Sequence, residues 1–160
     1  MKNDKELITF DFGKGPVPAH QHKNPDGSLG GWVADTATVK GTAYIGEDAQ
    51  VYGYAQVYGD AQVYGHAQVF GYARVYGDAE VVGDAQVYGY AQVFGYARVY
   101  GDAEVVGYAQ VYGYARVYGD ALVFGNAQVY DNAWVYNNAK VYGNALVSGK
   151  VKVSGDAWLR

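Results

Sequence analysis

From Trp32 onward the chain follows a fixed six-residue pattern of apolar and polar positions. Every sixth residue from Val33 to Leu159 is aliphatic in all twenty-two instances, twenty being Val and the others Ile45 and Leu159. Two residues before each of these, from Ala37 to Ala157, the position is Ala in twenty of twenty-one cases, with Val151 the exception. Ala-x-Val is an apolar–polar–apolar alternation, so on an extended chain Ala and Val face one side and the middle residue the other. The middle residues from Gln50 to Glu104 are Gln, Arg or Glu without a break. Each unit therefore predicts a short strand with one face in a core and the other in water.

The three residues between strands must turn the chain. At the centre of each turn, from position 35 to 155, Gly occupies seventeen of twenty-one places. Asp35, Glu47, Asp131 and Asn137 replace it, and three of these are types that tolerate positive φ, so the turn is expected to need a left-handed residue. A short fixed period of this kind marks a solenoid, whose units bury their apolar sides only against their neighbours.

Three strands and three turns would close a triangular coil of eighteen residues. Sorting the residue before each Ala by eighteen gives one column with Tyr54, Tyr72, Tyr90 and Tyr108, and another with Asp48, Asp84, Asp102, Asp120 and, among them, His66. A six-residue period alone would not separate these chemistries. Residues Ala67 to Gly83 recur identically as Ala91 to Gly107. The offset is twenty-four, not a multiple of eighteen, so the copy should lie on a different face from its parent.

The pattern aliphatic-x-x-x-small-x resembles the hexapeptide repeats of left-handed parallel β-helices, best known from bacterial acyltransferases, and Ile45-Gly46-Glu47-Asp48-Ala49-Gln50 fits their commonest form. The Val-Tyr-Gly-Asp/Asn-Ala form looks more like uncharacterised hexapeptide-repeat proteins of bacteria and phages. The resemblance implies an all-β, single-stranded, left-handed triangular solenoid of about seven coils. Handedness comes only from the resemblance, because the general rule for parallel crossovers favours the right hand. It implies little about activity, since one fold hosts many functions.

Residues 1–31 are the non-repetitive part and are expected to cap the solenoid of residues 32–160, because a solenoid end exposes unpaired backbone and an open core. Leu7 to Phe12 alternates like a strand, which Gly13-Lys14-Gly15-Pro16 then breaks. His20 and His22 could ligate a metal from one strand face, but a site needs a third ligand, and a polar loop is the favoured reading of Pro18 to His22. At the other end the repeat runs to Ala157-Trp158-Leu159-Arg160, and the expectation is an uncovered strand edge that Trp158, Leu159 and Trp134 partly plug or that pairs with another chain.

Composition adds limits. The chain has 160 residues, 50% hydrophobic and 18% charged, with 23 Gly, 18 Tyr and no Cys. Disulfides and thiolate metal sites are thereby excluded. A formal net charge of −4 and basic residues dispersed along the sequence give no reason to expect nucleic acid. No apolar run suggests a signal peptide or a membrane span, so a cytoplasmic location or assembly into a phage particle is expected.

The resemblance to acyltransferases implies a His base in the coils, an external loop and a C-terminal segment completing the acyl-donor site. Here His66 is the one His in the coils, and no insertion breaks the period between Val33 and Leu159. His66 reads more naturally as a variant turn residue than as a base. No nucleophile–base set, phosphate loop or cofactor motif stands out. What remains is aromatic: the residue after each core Val is Tyr or Phe in most units, stacked coils ~4.8 Å apart would bring these into ladders, and they either stiffen the rod or form a sticky face.

The leading expectation is a non-catalytic structural or interaction module, a rigid self-associating solenoid in a phage or bacterial surface assembly, with no cofactor. An acyltransferase-like enzyme and a carbohydrate-binding rod using Tyr54, Tyr72, Tyr90 and Tyr108 stay open beside it. The expected partner is a second copy, most simply through the C-terminal coil around Trp158 and Leu159, with glycans as the other ligand class.

Overall fold

The structure is a computed structural model and describes residues 6–160. It begins with three strands, β1 (Thr9–Asp11), β2 (Pro16–Lys23) and β3 (Leu29–Ala34), joined as antiparallel pairs. Two-residue strands then recur every six residues, starting with β4 (Thr38–Val39), β5 (Tyr44–Ile45) and β6 (Gln50–Val51) and ending with β22 (Leu146–Val147), β23 (Lys152–Val153) and β24 (Trp158–Leu159). Every third strand pairs in parallel, which gives three sheets. The first runs from β3 through β6 to β24, with β2 and β1 added at its start; the second runs from β4 to β22 and the third from β5 to β23. The chain is therefore an all-β parallel solenoid of about seven coils with roughly eighteen residues per turn and no helix among the described residues.

Register follows the sequence column by column. Val75 pairs with Val57 on one side and Val93 on the other, so identical side chains stack along the axis. The Ala and Val of every unit from Ala43 to Val141 are essentially inaccessible to water. A Val in this column contributes on the order of 2 kcal/mol through burial, and Ala beside it allows the three walls to approach closely. The repeated segment behaves as its offset requires: Gln68 lies in the first sheet and its copy Gln92 in the second. Identical sequence on different walls makes the walls interchangeable as backbone.

Turns from residue 53 to 155 all have positive φ at their central residue, close to 70° for Gly and 57° for Asp131 and Asn137. Positive φ at the first central position is a feature of type II′ turns and explains the Gly preference. Space adds a second reason, because a Cβ built on Gly77 would meet the backbone of Gly95 at 3.1 Å. The first coil departs from this expectation: Asp35, Gly41 and Glu47 are not in the left-handed region. Their turns close with i+3 to i backbone hydrogen bonds of 2.9–3.1 Å, such as Ala37 N–H to Ala34 C=O, shorter than the corresponding bonds in later turns, such as Ala55 N–H to Tyr52 C=O at 3.4 Å.

The segment before the repeat differs in one further respect. Pro18 to His22 is not a loop but lies within β2. Pro16 opens the strand, where its missing N–H matters least, and β2 pairs with both β1 and β3, with a register shift between Gln21 and Lys23 opposite the Gly30-Gly31 pair. Those glycines have a steric cause: a Cβ on Gly31 would collide with the carbonyl oxygen of Ala49.

Candidate functional site

The first candidate is the pair His20 and His22. The two rings take different partners. His20 is exposed, with Nδ1 2.8 Å from Asp35 Oδ1, whereas His22 is buried and its Nε2 donates to the carbonyl of Ala43 at 2.9 Å. The register shift after Gln21 allows both Ala19 and His22 to be buried although they are three residues apart. Among the described residues no group of three His, Cys, Asp or Glu is placed to hold a metal ion.

His22 works together with Asn24, which the sequence reading missed. The Asn24 amide donates to Ile45 C=O at 3.0 Å and its carbonyl oxygen accepts from Ile45 N–H at 2.8 Å. One side chain thus supplies the two hydrogen bonds that a preceding coil would have made to β5, and His22 supplies the one to Ala43. The signal available in the sequence was the Asn24-Pro25-Asp26-Gly27 stretch, a turn composition. Asp26 anchors that turn: the Ser28 hydroxyl and backbone N–H bond its carboxylate and hold it below its usual pKa.

The second candidate is the aromatic surface, which forms the expected ladders. Tyr54, Tyr72, Tyr90 and Tyr108 stack with centroids 4.9–5.2 Å apart and planes within 12°. Tyr58, Tyr76, Phe94, Tyr112 and Tyr130 form a second ladder at 4.8–5.0 Å. These separations suit offset stacking, so each ring's faces are occupied by its neighbours along the axis. Along the Tyr54 ladder the rings are about half exposed, and what they turn outward is edge and hydroxyl. With Gln56, Arg74 and Gln92 they line a shallow groove of about 300 Å³.

The ladders are also cross-linked. Tyr52, Tyr76 and Tyr112 donate to Gln68, Gln92 and Gln128 of the next coil at 3.1–3.3 Å, and Tyr88 donates to Glu104 at 2.8 Å. Burial, then the hydrogen bond to Glu104 and its charge, push the Tyr88 pKa up to about 12.

The remaining predicted residues fall apart from one another. His66 is exposed in a turn, one coil from Asp48 and Asp84 in its column. Trp158 is 64% and Leu159 37% exposed; Trp158 lies outward beside Lys140, whose Nζ is 4.5 Å from the ring centroid. Trp134 likewise faces outward, between the Arg116 guanidinium at 5.1 Å and the Lys152 ammonium at 4.6 Å. Neither Trp plugs the core, because both occupy the solvent-facing middle position of their strands.

The third sheet gathers charges that the sequence disperses. Asp60, Asp78 and Glu80 line a groove of about 420 Å³ together with Tyr96, Arg98 and Arg116. The same face continues to Lys150 and Lys152 beside Trp134. A further crevice of about 430 Å³ lies between the first strands and the first coils, lined by Phe12, Val17, Pro18, Ala34 and Tyr52.

Comparison with known families agrees with the solenoid. The family model described as the YdcK Beta solenoid repeat matches residues 61–77, 115–127 and 127–141. No curated protein and no solved structure matches the chain. These matches lie wholly within the coils and mark the chain as similar to a repeat β-solenoid protein.

Proposed function

We propose that the chain is a non-catalytic structural module: a rigid, self-associating rod that holds surface groups at fixed intervals within a larger assembly. The observation that carries this reading is the uninterrupted six-residue recurrence of strands from β4 to β24. Enzymes place reacting groups on loops that a scaffold positions, and a wall with no inserted loop offers a ligand only shallow grooves. Outward groups along the walls are tied to one another, as in the Tyr–Gln bridges between coils. A side chain held in this way stiffens the rod.

The competing enzyme reading gives His66 the role of base, with acyl-coenzyme A as donor. Isothermal titration with acetyl-coenzyme A is the test: no heat at high micromolar concentrations supports the structural module, and saturable binding lost on His66→Ala overturns it. A second reading has a specific observation behind it. The groove along Tyr54, Tyr72, Tyr90 and Tyr108 presents phenol hydroxyls and the Gln56 and Gln92 amides, groups that can bond sugar hydroxyls. Binding to a glycan array that disappears in Tyr72→Ala and Tyr90→Ala would support it.

A further inference from the structure

The three walls differ in charge although their backbones are interchangeable. Turn positions on the first wall are mostly acidic, with Asp48, Asp84, Asp102, Asp120 and Asp156, and its strands add Glu104 and one basic residue, Lys140. Two copies of that wall would set mostly acid against acid. The second wall carries Gln at most strand positions, with Arg74 and flanking Lys40 as its charges. On the third wall the charges are sorted by height. Its lower half holds Asp60, Asp78 and Glu80, preceded by Asp26 next to Tyr44; its upper half holds Arg98, Arg116, Lys150 and Lys152. Four acids and four bases balance across the wall, with Asp131 at the corner of the upper half, and opposite ends keep opposite sign.

We propose that this third wall is a homodimer interface in which a second copy lies antiparallel, face to face, about a two-fold axis between the Glu80 and Arg98 rungs. The proposal rests on the self-associating reading above and names the surface responsible. A two-fold interface brings each residue opposite its symmetry mate's counterpart. Rungs equidistant from that axis then meet: Glu80 faces the partner copy's Arg98, Gln62 and Asp60 face the Arg116 rung, Tyr44 faces the Trp134 rung, and Asp26 faces Lys150 and Lys152. A parallel arrangement would set Arg on Arg and Asp on Asp. Glu80 and Arg98 already pair within one chain at 3.3 Å, so at the axis two such pairs would combine into a four-membered network.

The groups are prearranged. Arg116 from the coil before and Lys152 from the coil after both lie against the Trp134 ring, a cation–π arrangement that restrains long side chains before any partner arrives. Tyr96 and Tyr114 are stacked on each other at 5.1 Å and remain 54% and 59% exposed, which suits interface anchors. The wall is about 34 Å long and about 16 Å wide from strand spacing and rise per residue, or about 500 Å². Two copies would bury about 1,000 Å² in total, the size of a weak, reversible association. Charge complementarity then sets orientation and salt dependence more than affinity. A polyanion would suit the upper half and be repelled by the lower, so a second copy is the occupant that satisfies the whole wall.

The test is a charge swap read by sedimentation equilibrium at low and high salt. Asp60 and Arg116 are three rungs apart, about 14 Å along the axis, too far to pair within one chain. The native chain should dimerise at about 100 µM in low salt and dissociate as salt rises. Arg116→Asp should weaken dimerisation by about tenfold or more, and Asp60→Arg combined with Arg116→Asp should restore it, with circular dichroism unchanged throughout. A native chain that stays monomeric at several hundred micromolar overturns the proposal, as does a dimer indifferent to Arg116→Asp or a swap that fails to restore association. A dimer that instead responds to Leu159→Asp would place the contact at the C-terminal coil. A monomer would remove self-association together with this interface, whereas a dimer indifferent to Arg116→Asp, or one that responds to Leu159→Asp, overturns the interface alone; coenzyme A binding tests the non-catalytic reading independently of both.

Discussion

The middle coils and the first coil meet the same demands by different means. In the middle, the backbone does nearly everything: each turn has a left-handed central residue, and each strand bonds the strands one coil before and after. In the first coil the turns avoid positive φ, and the strand edge is completed by individual side chains, with Asn24 bonding both polar groups of Ile45 and His22 bonding Ala43. A repeat shares its stabilisation among near-identical units. The beginning of a repeat has no earlier unit to pair with, so its stability is concentrated in a few residues that occur once.

That difference can be broken most sharply at Asn24. Asn24→Ala leaves the buried N–H and C=O of Ile45 unpaired, which should cost about 2–5 kcal/mol; the denaturation midpoint measures it, and hydrogen exchange should accelerate first at β5. Replacing Gln110, an equivalent outward amide in the middle, should change stability by less than about 0.5 kcal/mol. An equal effect at both sites would remove the contrast.

The turns give the next largest effect. Gly77→Ala forces a Cβ into a left-handed turn and to 3.1 Å from Gly95, for a loss of about 1–3 kcal/mol. At Gly41, where φ is not positive and nothing lies within 4 Å of a new Cβ, the same substitution should be near neutral. Thermal midpoints of the two variants decide whether the first coil's turns are relaxed in the way their dihedrals indicate.

A smaller effect belongs to the ladders. Tyr76→Leu keeps most apolar contact but removes ring stacking at 4.8–4.9 Å and the bond to Gln92, and should cost about 0.5–1.5 kcal/mol. Alkaline pH probes the same surface. Tyr88 ionises at about 12 rather than 10.0, so the folded state favours the neutral phenol. Its stabilisation is complete below pH 10.0 and is lost as pH rises through 12. Burial also raises the pKa of Tyr52, Tyr64, Tyr76, Tyr112 and Tyr118, so absorbance at alkaline pH should show a late-titrating group of phenols with Tyr88 among them. Glu104→Gln should bring Tyr88 earlier by removing the charge while keeping an acceptor.

Much of the architecture was legible because it repeats. The Ala-x-Val alternation located β4 to β24, and sorting by eighteen found the Tyr54 and Asp84 columns. What stayed hidden occurs once. Pro18 to His22 looked like a loop because two prolines and a register shift disturb the alternation, although the residues pair on both sides. Asn24 and His22 act on Ile45 and Ala43 across twenty-one residues, a separation that no local pattern encodes. The composition of the other turns predicts a left-handed residue at Asp35 and Glu47 too, but neither has positive φ in the first coil, which has no full coil beneath it. The third wall's polarity lay between: Arg98, Arg116 and Lys152 are separated by multiples of eighteen, yet they look dispersed until coils are stacked.

The central claim is a rigid rod with a fixed rung, and a distance between two rungs tests it most directly. With no native Cys, spin labels can be placed at Gln56→Cys and Leu146→Cys, which occupy the same wall five coils apart. Pulsed dipolar spectroscopy, with labelled chain diluted in unlabelled, should give one narrow distance near 24 Å, five rungs at ~4.8 Å. A broad distribution, or a separation that changes with salt or added ligand, would contradict a rigid rod.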